Sequence, residues 1–407
     1  MKYVIVIPEG AADEGQVELD GLTPLVAAKT PALDRLALAG RLGTAAMTPR
    51  PLSCTDDVSL MSLLGLDPTA FPCGPAVLEA AGCGQPVRKG APALRLSLIT
   101  VRDGELIDLT AGRIGDAEAA ELIADLEEAI GRRLGAEAAG LSLAATGGHR
   151  GIMIDETGRS YEALTTHPPS RIVDRPIRRY LPAGEHGELM RRVIDVSAEL
   201  FAEHEINLTR QELGELPATH AWPWGPGSPL QLPPFASRFG GLRGLMICAH
   251  PLPAGLARLV GWDVILLDAA LLHVQAGEKA IEALGDHDIV CVHDPSPDAA
   301  AHQGDVIGKV EALAALDEQV ITPIADRLER YDAWRMLVMG THYTSSASRR
   351  HEDGPVPLMM TGARIDAVLK ATLSEDAADA ADLHVDVGSD LIEYFLFGSG
   401  IGRRHDG

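Results

Sequence analysis

The chain opens on Tyr3-Val4-Ile5-Val6-Ile7-Pro8, a continuous apolar run of strand length with no polar residue in alternation. A strand with no polar face has to be buried on both sides, and the usual place for one is the interior of a parallel sheet. Similar runs recur at residues 242–249, 263–267, 288–293, 335–339 and 357–360. Helical patterns separate them, the clearest from Lys309 to about Tyr331. Earlier helices are expected after Thr30-Pro31, with Thr30 as N-cap and Pro31 at the first helical position, and around residues 58–64. Strands alternating with helices point to an α/β fold with a doubly wound sheet, whose ligands collect at the carboxyl ends of the strands.

The texture changes between about residues 91 and 178. Residues 94–101 and 105–109 flank Arg102-Asp103-Gly104 and read as a hairpin. Residues 116–134 form an amphipathic helix with Ala120, Leu122, Ile123, Leu126 and Ile130 on its apolar positions. Further strands are expected at residues 141–145 and 151–155, and Pro168-Pro169 and Pro176 mark an exit. The expected organisation is a core of residues 1–84 and 181–407 with a smaller inserted α+β domain, residues 85–180. A long helix near residues 188–203 is followed by a loop over residues 222–227.

Charge narrows the partners. Lys and Arg number 35 against 58 Asp and Glu, a formal net charge of −23, which disfavours duplex nucleic acid and anionic membrane surfaces. Hydrophobic residues at 46% and charged residues at 23% speak against global disorder. No apolar run reaches membrane-spanning length and the first residues are not those of a signal peptide, so a cytoplasmic enzyme is expected. Cys54, Cys73, Cys83, Cys248 and Cys291 are scattered without a CxxC pair, which argues against a disulfide framework or a zinc knuckle.

Two segments carry candidate chemistry. Asp298 and His302, just beyond the run ending in Val292-His293, are four residues apart and share one side of a helical turn. An oxygen and an imidazole nitrogen at that spacing suit Zn²⁺ or Mn²⁺, whereas the plainer reading is a solvated loop with a helix-capping aspartate. Gly340-Thr341-His342 ends another apolar run, with His351 nine residues later. A single histidine at a strand end is commonly a surface or capping residue. Three strand ends, after Ile7, Val292 and Met339, nevertheless send carboxylate or imidazole groups to one sheet edge.

The order of these pieces resembles the archaeal-type cofactor-independent phosphoglycerate mutases of the alkaline phosphatase superfamily. The resemblance runs through residues 29–36, Leu64-Gly65-Leu66-Asp67-Pro68, Ala111-Gly112-Arg113-Ile114, His167-Pro168-Pro169, Asn207, Arg210, residues 222–227 and residues 297–305 with Lys309 and His342. It implies an alkaline-phosphatase-like core and one or two divalent ions, Mn²⁺ foremost, with Zn²⁺, Co²⁺ or Mg²⁺ as substitutes. It also implies a small phosphorylated carboxylic acid as substrate. A serine nucleophile would take the phosphoryl group and return it to the other hydroxyl, interconverting 2-phosphoglycerate and 3-phosphoglycerate. Asp298, His302 and His351 match the first metal position, and Lys309 matches a lysine able to balance phosphate charge. Arg95, Arg113 and Arg171 match substrate-binding segments.

The second metal position departs from the family pattern. Glu9 stands where the family has Asp, Thr341-His342 where it has Asp-His, and Asp56 at the nucleophile position. An arginine of the pattern is missing from Phe71-Pro72-Cys73-Gly74-Pro75, and the family's Ala-Gly-His-Ile reads Ala-Gly-Arg-Ile. Asp56 is therefore a metal ligand, a nucleophile forming an acyl phosphate, or the acid following a nucleophilic Thr55. The alternatives to the mutase reading are an altered phosphohydrolase or phosphotransferase and a non-catalytic ligand-binding relative.

Overall fold

A computed structural model of the chain describes residues 1–71, 74–85, 91–227 and 231–398; Cys73, and residues 86–90 at the expected edge of the insertion, lie outside that set. The chain divides into two compact units, Met1–Phe71 with Leu232–Gly407, and Pro72–Gln231. In chain order the first unit supplies β1 (Lys2–Pro8) and β2 (Arg41–Ala45). The second supplies β3 (Ala93–Arg102), β4 (Glu105–Asp108), β5 (Leu141–Gly147), β6 (Arg150–Asp155), β7 (Leu164–Thr165), β8 (Ala183–Gly184) and β9 (His220–Gly227). Back in the first unit are β10 (Gly244–Cys248), β11 (Asp263–Leu266), β12 (Ile289–Asp294), β13 (Trp334–Met339), β14 (Tyr343–Ser345), β15 (Arg350–Glu352), β16 (Val356–Gly362) and β17 (Leu383–Val385).

The first unit is built on an eight-stranded sheet in the order β11-β10-β12-β1-β13-β16-β2-β17. All its pairings are parallel except those of β16, which runs antiparallel to β13 and β2. Val4, Val6, Ile5 and Ile7 are all fully buried, so both faces of β1 are covered, as an unalternating apolar run requires. Val4 and Val6 pack with Leu33, Leu36, Ala276 and Leu313. On the opposite face Tyr3 meets Phe395 of the helix Leu391–Phe397 edge-on, ring centroids 5.8 Å apart.

Two local expectations are corrected. Thr30 makes no side-chain cap; the Asp317 carboxylate, 285 positions along the chain, accepts from Ala32 N at 3.0 Å and caps the helix Pro31–Ala39 together with Leu33 N at 2.7 Å. The long helix expected from Lys309 is broken into Val306–Leu316, a π-turn Asp317–Ile321, and Thr322–Leu328. Pro323 has no N–H to return to the preceding turn, so the wider turn absorbs the missing bond.

The second unit is an antiparallel sheet in the order β4-β3-β6-β5, with β9 also paired to β3. The helix Asp116–Leu134 lies where the periodicity puts it, its Leu122, Ile123 and Leu126 packed with Leu94, Leu96 and Leu98 of β3. The unit reaches well past residue 180, because Met190 and Val193 of the helix Gly187–Ala202 belong to the same core. Residues 222–227, expected as a loop, are part of β9. Its prolines are tolerated because β9 pairs with β3 through a register shift and needs no second ladder.

Candidate metal centre

The sheet order β12-β1-β13 sets three strand ends side by side in the first unit. Glu9 follows β1, the helix Ser296–Gln303 carrying Asp298 and His302 follows β12, and Thr341-His342 follows β13. Asp298 and His302, four apart on that helix, turn to the same side as their spacing predicts. His351 arrives by a different route. It lies on β15, which pairs antiparallel with β14 so that His351 is opposite Thr344. Directly opposed residues share a face, so this hairpin swings His351 over Asp298.

Two ligand groups result. In the first, Asp298 Oδ2 lies 3.4 Å from His302 Nε2, Asp298 Oδ1 lies 3.4 Å from His351 Nε2, and the two Nε2 atoms are 3.0 Å apart. In the second, Asp56 Oδ1 is 3.3 Å from His342 Nε2 and 3.7 Å from His351 Nδ1. His351 stacks on His342 with ring centroids 3.8 Å apart and contributes to both groups. Ligand bonds of about 2.0–2.2 Å place neighbouring donor atoms about 3 Å apart. The two groups have nearly that spacing. Asp56 Oδ1 and His342 Nε2 are also buried atoms without a hydrogen-bond partner, a costly state that a cation between them would relieve.

Glu9 is held differently. Its Oε1 accepts from Thr341 Oγ1 at 2.7 Å and Thr341 N at 3.0 Å, and its Oε2 lies 3.2 Å from His293 Nε2. Oε1 is also 3.3 Å from His342 Nε2. The Thr341 hydroxyl further contacts Ser59 Oγ at 2.9 Å.

The charges respond to one another. Burial opposes ionisation of Asp298, but hydrogen bonds from His302, His351 and Thr344 and the charge of His342 hold its carboxyl well below the ordinary range. Burial likewise opposes the charge on His342, yet Glu9, Asp56 and Asp298 push it up to about 9. A hydrogen bond and charge interaction with Asp298 raise His302 despite its partial burial.

The remaining candidates fall elsewhere. Thr55 precedes the helix Asp56–Leu63 and is exposed, with its hydroxyl hydrogen-bonded to the Asp57 carboxyl. Lys309, expected to face phosphate, is fully buried; its Nζ donates to Asp13 Oδ2 and Thr344 O, each at 2.8 Å, so it braces the loops beneath the centre. In the second unit Arg95 donates through Nε to Glu79 at 3.0 Å and lies 4.9 Å over the Trp224 ring, so its charge is already met within the unit. Arg113 and Arg171 are exposed. Thr344, His293 and Asp13 went unassigned in the sequence. Only the two-residue spacing of His342 and Thr344 hinted that they share a side.

The comparisons agree with this architecture. The sequence model of the 2,3-bisphosphoglycerate-independent phosphoglycerate mutases matches residues 37–207. The 2,3-bisphosphoglycerate-independent phosphoglycerate mutase of Methanothrix thermoacetophila is 34% identical over 405 residues, covering 98% of this chain and 100% of that one. A probable enzyme of the same name from Geobacter sulfurreducens is 32% identical, covering 97% and 100%. Among solved structures, a Pyrococcus horikoshii protein superposes with a TM-score of 0.81 at 25% identity, covering 97% of this chain and 96% of that one. The cofactor-independent phosphoglycerate mutase of Thermoplasma acidophilum gives 0.62 at 22%, covering 97% and 99%. With its strand-end carboxylates and imidazoles in place and a full-length relative at 34% identity, the chain belongs to the 2,3-bisphosphoglycerate-independent phosphoglycerate mutase family.

Proposed function

We propose that the chain carries out divalent-metal-dependent phosphoryl transfer on a small phosphorylated carboxylic acid, with interconversion of 2-phosphoglycerate and 3-phosphoglycerate as the reaction. The observation that supports it is the pair of ligand groups sharing His351. Asp298, His302 and His351 form one holding set for a cation, and Asp56 and His342 with the other nitrogen of His351 form a second. A bound divalent ion neutralises phosphate charge and stabilises the oxygens that attack and leave. Mn²⁺ is the first choice for this oxygen and imidazole donor set.

In this reading Asp56 is a ligand before it is anything else. Its Oδ1 lies 3.3 Å from His342 Nε2, whereas the hydroxyl of the exposed Thr55 is engaged by Asp57. That orientation also favours a second reading, an altered phosphohydrolase or phosphotransferase on the same scaffold, because the position of the family's serine holds a carboxylate. The test is metal content by elemental analysis, joined to a mutase assay with Mn²⁺, Co²⁺ or Zn²⁺ and to trapping of phosphoenzyme. Metal-dependent turnover supports the mutase reading. Bound metal with hydrolysis only supports the second, and a chain that binds no divalent ion overturns both. Asp56→Asn is expected to weaken Mn²⁺ binding at least tenfold, with Thr55→Ala close to the parent chain.

A further inference from the structure

One hydroxyl touches both ligand groups. Thr344 is fully buried, and its Oγ1 lies 2.6 Å from Asp298 Oδ1 and 3.1 Å from His342 Nδ1. Chemistry decides the direction of each bond. An ionised carboxylate only accepts, so the single hydroxyl proton of Thr344 goes to Asp298. With that proton used, Oγ1 can only accept from His342, and the imidazole must carry hydrogen on Nδ1. Its other nitrogen, Nε2, is then the one a cation takes by displacing its proton. That same Nε2 is the buried atom without a hydrogen-bond partner, 3.3 Å from Asp56 Oδ1.

The surroundings hold Thr344 to this task. Its carbonyl accepts from Lys309 Nζ at 2.8 Å, and its place on β14 is opposite His351. Gly10, with φ of +65°, leaves the space above the pair; a Cβ there would lie 2.6 Å from Thr344 Oγ1 and 2.8 Å from Asp298 Oδ1. The buried lysine and the glycine thus both serve the hydroxyl.

We propose that Thr344 is a positioning residue that sets the tautomer of His342 and the orientation of Asp298, so that one hydroxyl readies both ligand groups for a divalent cation. This rests on the metal-centre reading given above. An outer partner of this kind typically changes metal affinity by about 10–100-fold.

The experiment measures Mn²⁺ binding by calorimetry on the full chain, and reads the protonated nitrogen of His342 by long-range nitrogen–proton NMR with Zn²⁺ as the diamagnetic probe. Thr344→Val removes the hydroxyl at nearly constant shape, Thr344→Ser restores it, and His302→Ala tests the centre independently. Expected are a roughly 10–100-fold loss of Mn²⁺ affinity and an upfield shift of the Nδ1–H signal, which loses its acceptor, in Thr344→Val, with both recovered in Thr344→Ser. Unchanged affinity, or an unshifted Nδ1–H signal, in Thr344→Val overturns the proposal. If Thr344→Val does not fold, Thr344→Ala is judged on the same two readouts. His302→Ala binding Mn²⁺ like the parent chain would instead overturn the metal centre itself.

Discussion

The extra methylene of Glu9 carries its carboxylate far enough to accept both the backbone N–H and the hydroxyl of Thr341. Thr341 thereby acts as a double donor to a buried acid. A carboxylate in place of Thr341 would repel Glu9, whereas the Thr341 hydroxyl and N–H donate to it. Asp56 places a second carboxylate beside His342 Nε2, at 3.3 Å. Removing the Thr341 hydroxyl leaves a buried carboxylate short of a partner, so Thr341→Val is expected to cost about 1–3 kcal/mol. Urea unfolding of the metal-free chain measures it, and an unshifted midpoint would mean that Glu9 finds its partners elsewhere.

The elements around the centre are tied together by one buried ion pair. Lys309, in the helix Val306–Leu316, reaches Asp13 in the loop after β1 and the Thr344 carbonyl on β14. Burial lowers the lysine's affinity for its proton, and Asp13 opposes that effect. Breaking such a pair from one side strands a buried charge, a loss of about 3–5 kcal/mol, which is the expectation for Lys309→Met in chemical denaturation. Lys309→Met combined with Asp13→Asn is expected to recover part of that loss, since no charge is then left unpaired. The helix Pro31–Ala39 shows the same long reach, because its cap is Asp317 and not the neighbouring Thr30. Asp317 was invisible as a cap because nothing in local spacing relates it to residue 32. The helix Asp116–Leu134, whose apolar positions recur every three to four residues, was legible in its bounds, but Ala119 is buried where Ala120, which is exposed, was expected.

At the scale of the molecule, two charge effects follow. In the second unit burial pushes His220 down to about 4 from its ordinary 6.5, so the folded unit binds this proton less readily than the unfolded chain. Its contribution is fully present above about pH 6.5 and is lost as pH falls toward 4, up to about 3 kcal/mol. Acid unfolding of the parent chain and His220→Gln checks this: the variant should lose that part of the slope. The net charge of −23 gives the second effect. An anionic substrate approaches against the overall field, so kcat/KM for phosphoglycerate is expected to rise as salt is raised from about 10 mM toward about 150 mM, where screening shortens the field to about 8 Å. A fall instead would show that local positive charge governs approach. Among the described residues no helix is long and apolar enough to cross a membrane.

Six of the eight strands of the first unit's sheet (all but β2 and β17), the first hairpin and long helix of the second unit, and the Asp298–His302 pair could be read along the chain, because each depends on neighbours within a few positions. The apolar run of β1 required burial on both faces, and the fold supplies it. Folding alone settled the rest. His351 joins Asp298 through a hairpin register, Lys309 turns inward to Asp13, Arg95 is taken by Glu79, and β9 forms from a proline-rich stretch by pairing with β3. Those outcomes depend on which distant group arrives to satisfy a charge or a backbone bond. Periodicity and spacing carry no record of that, since the partner is chosen by the packing of whole strands and helices.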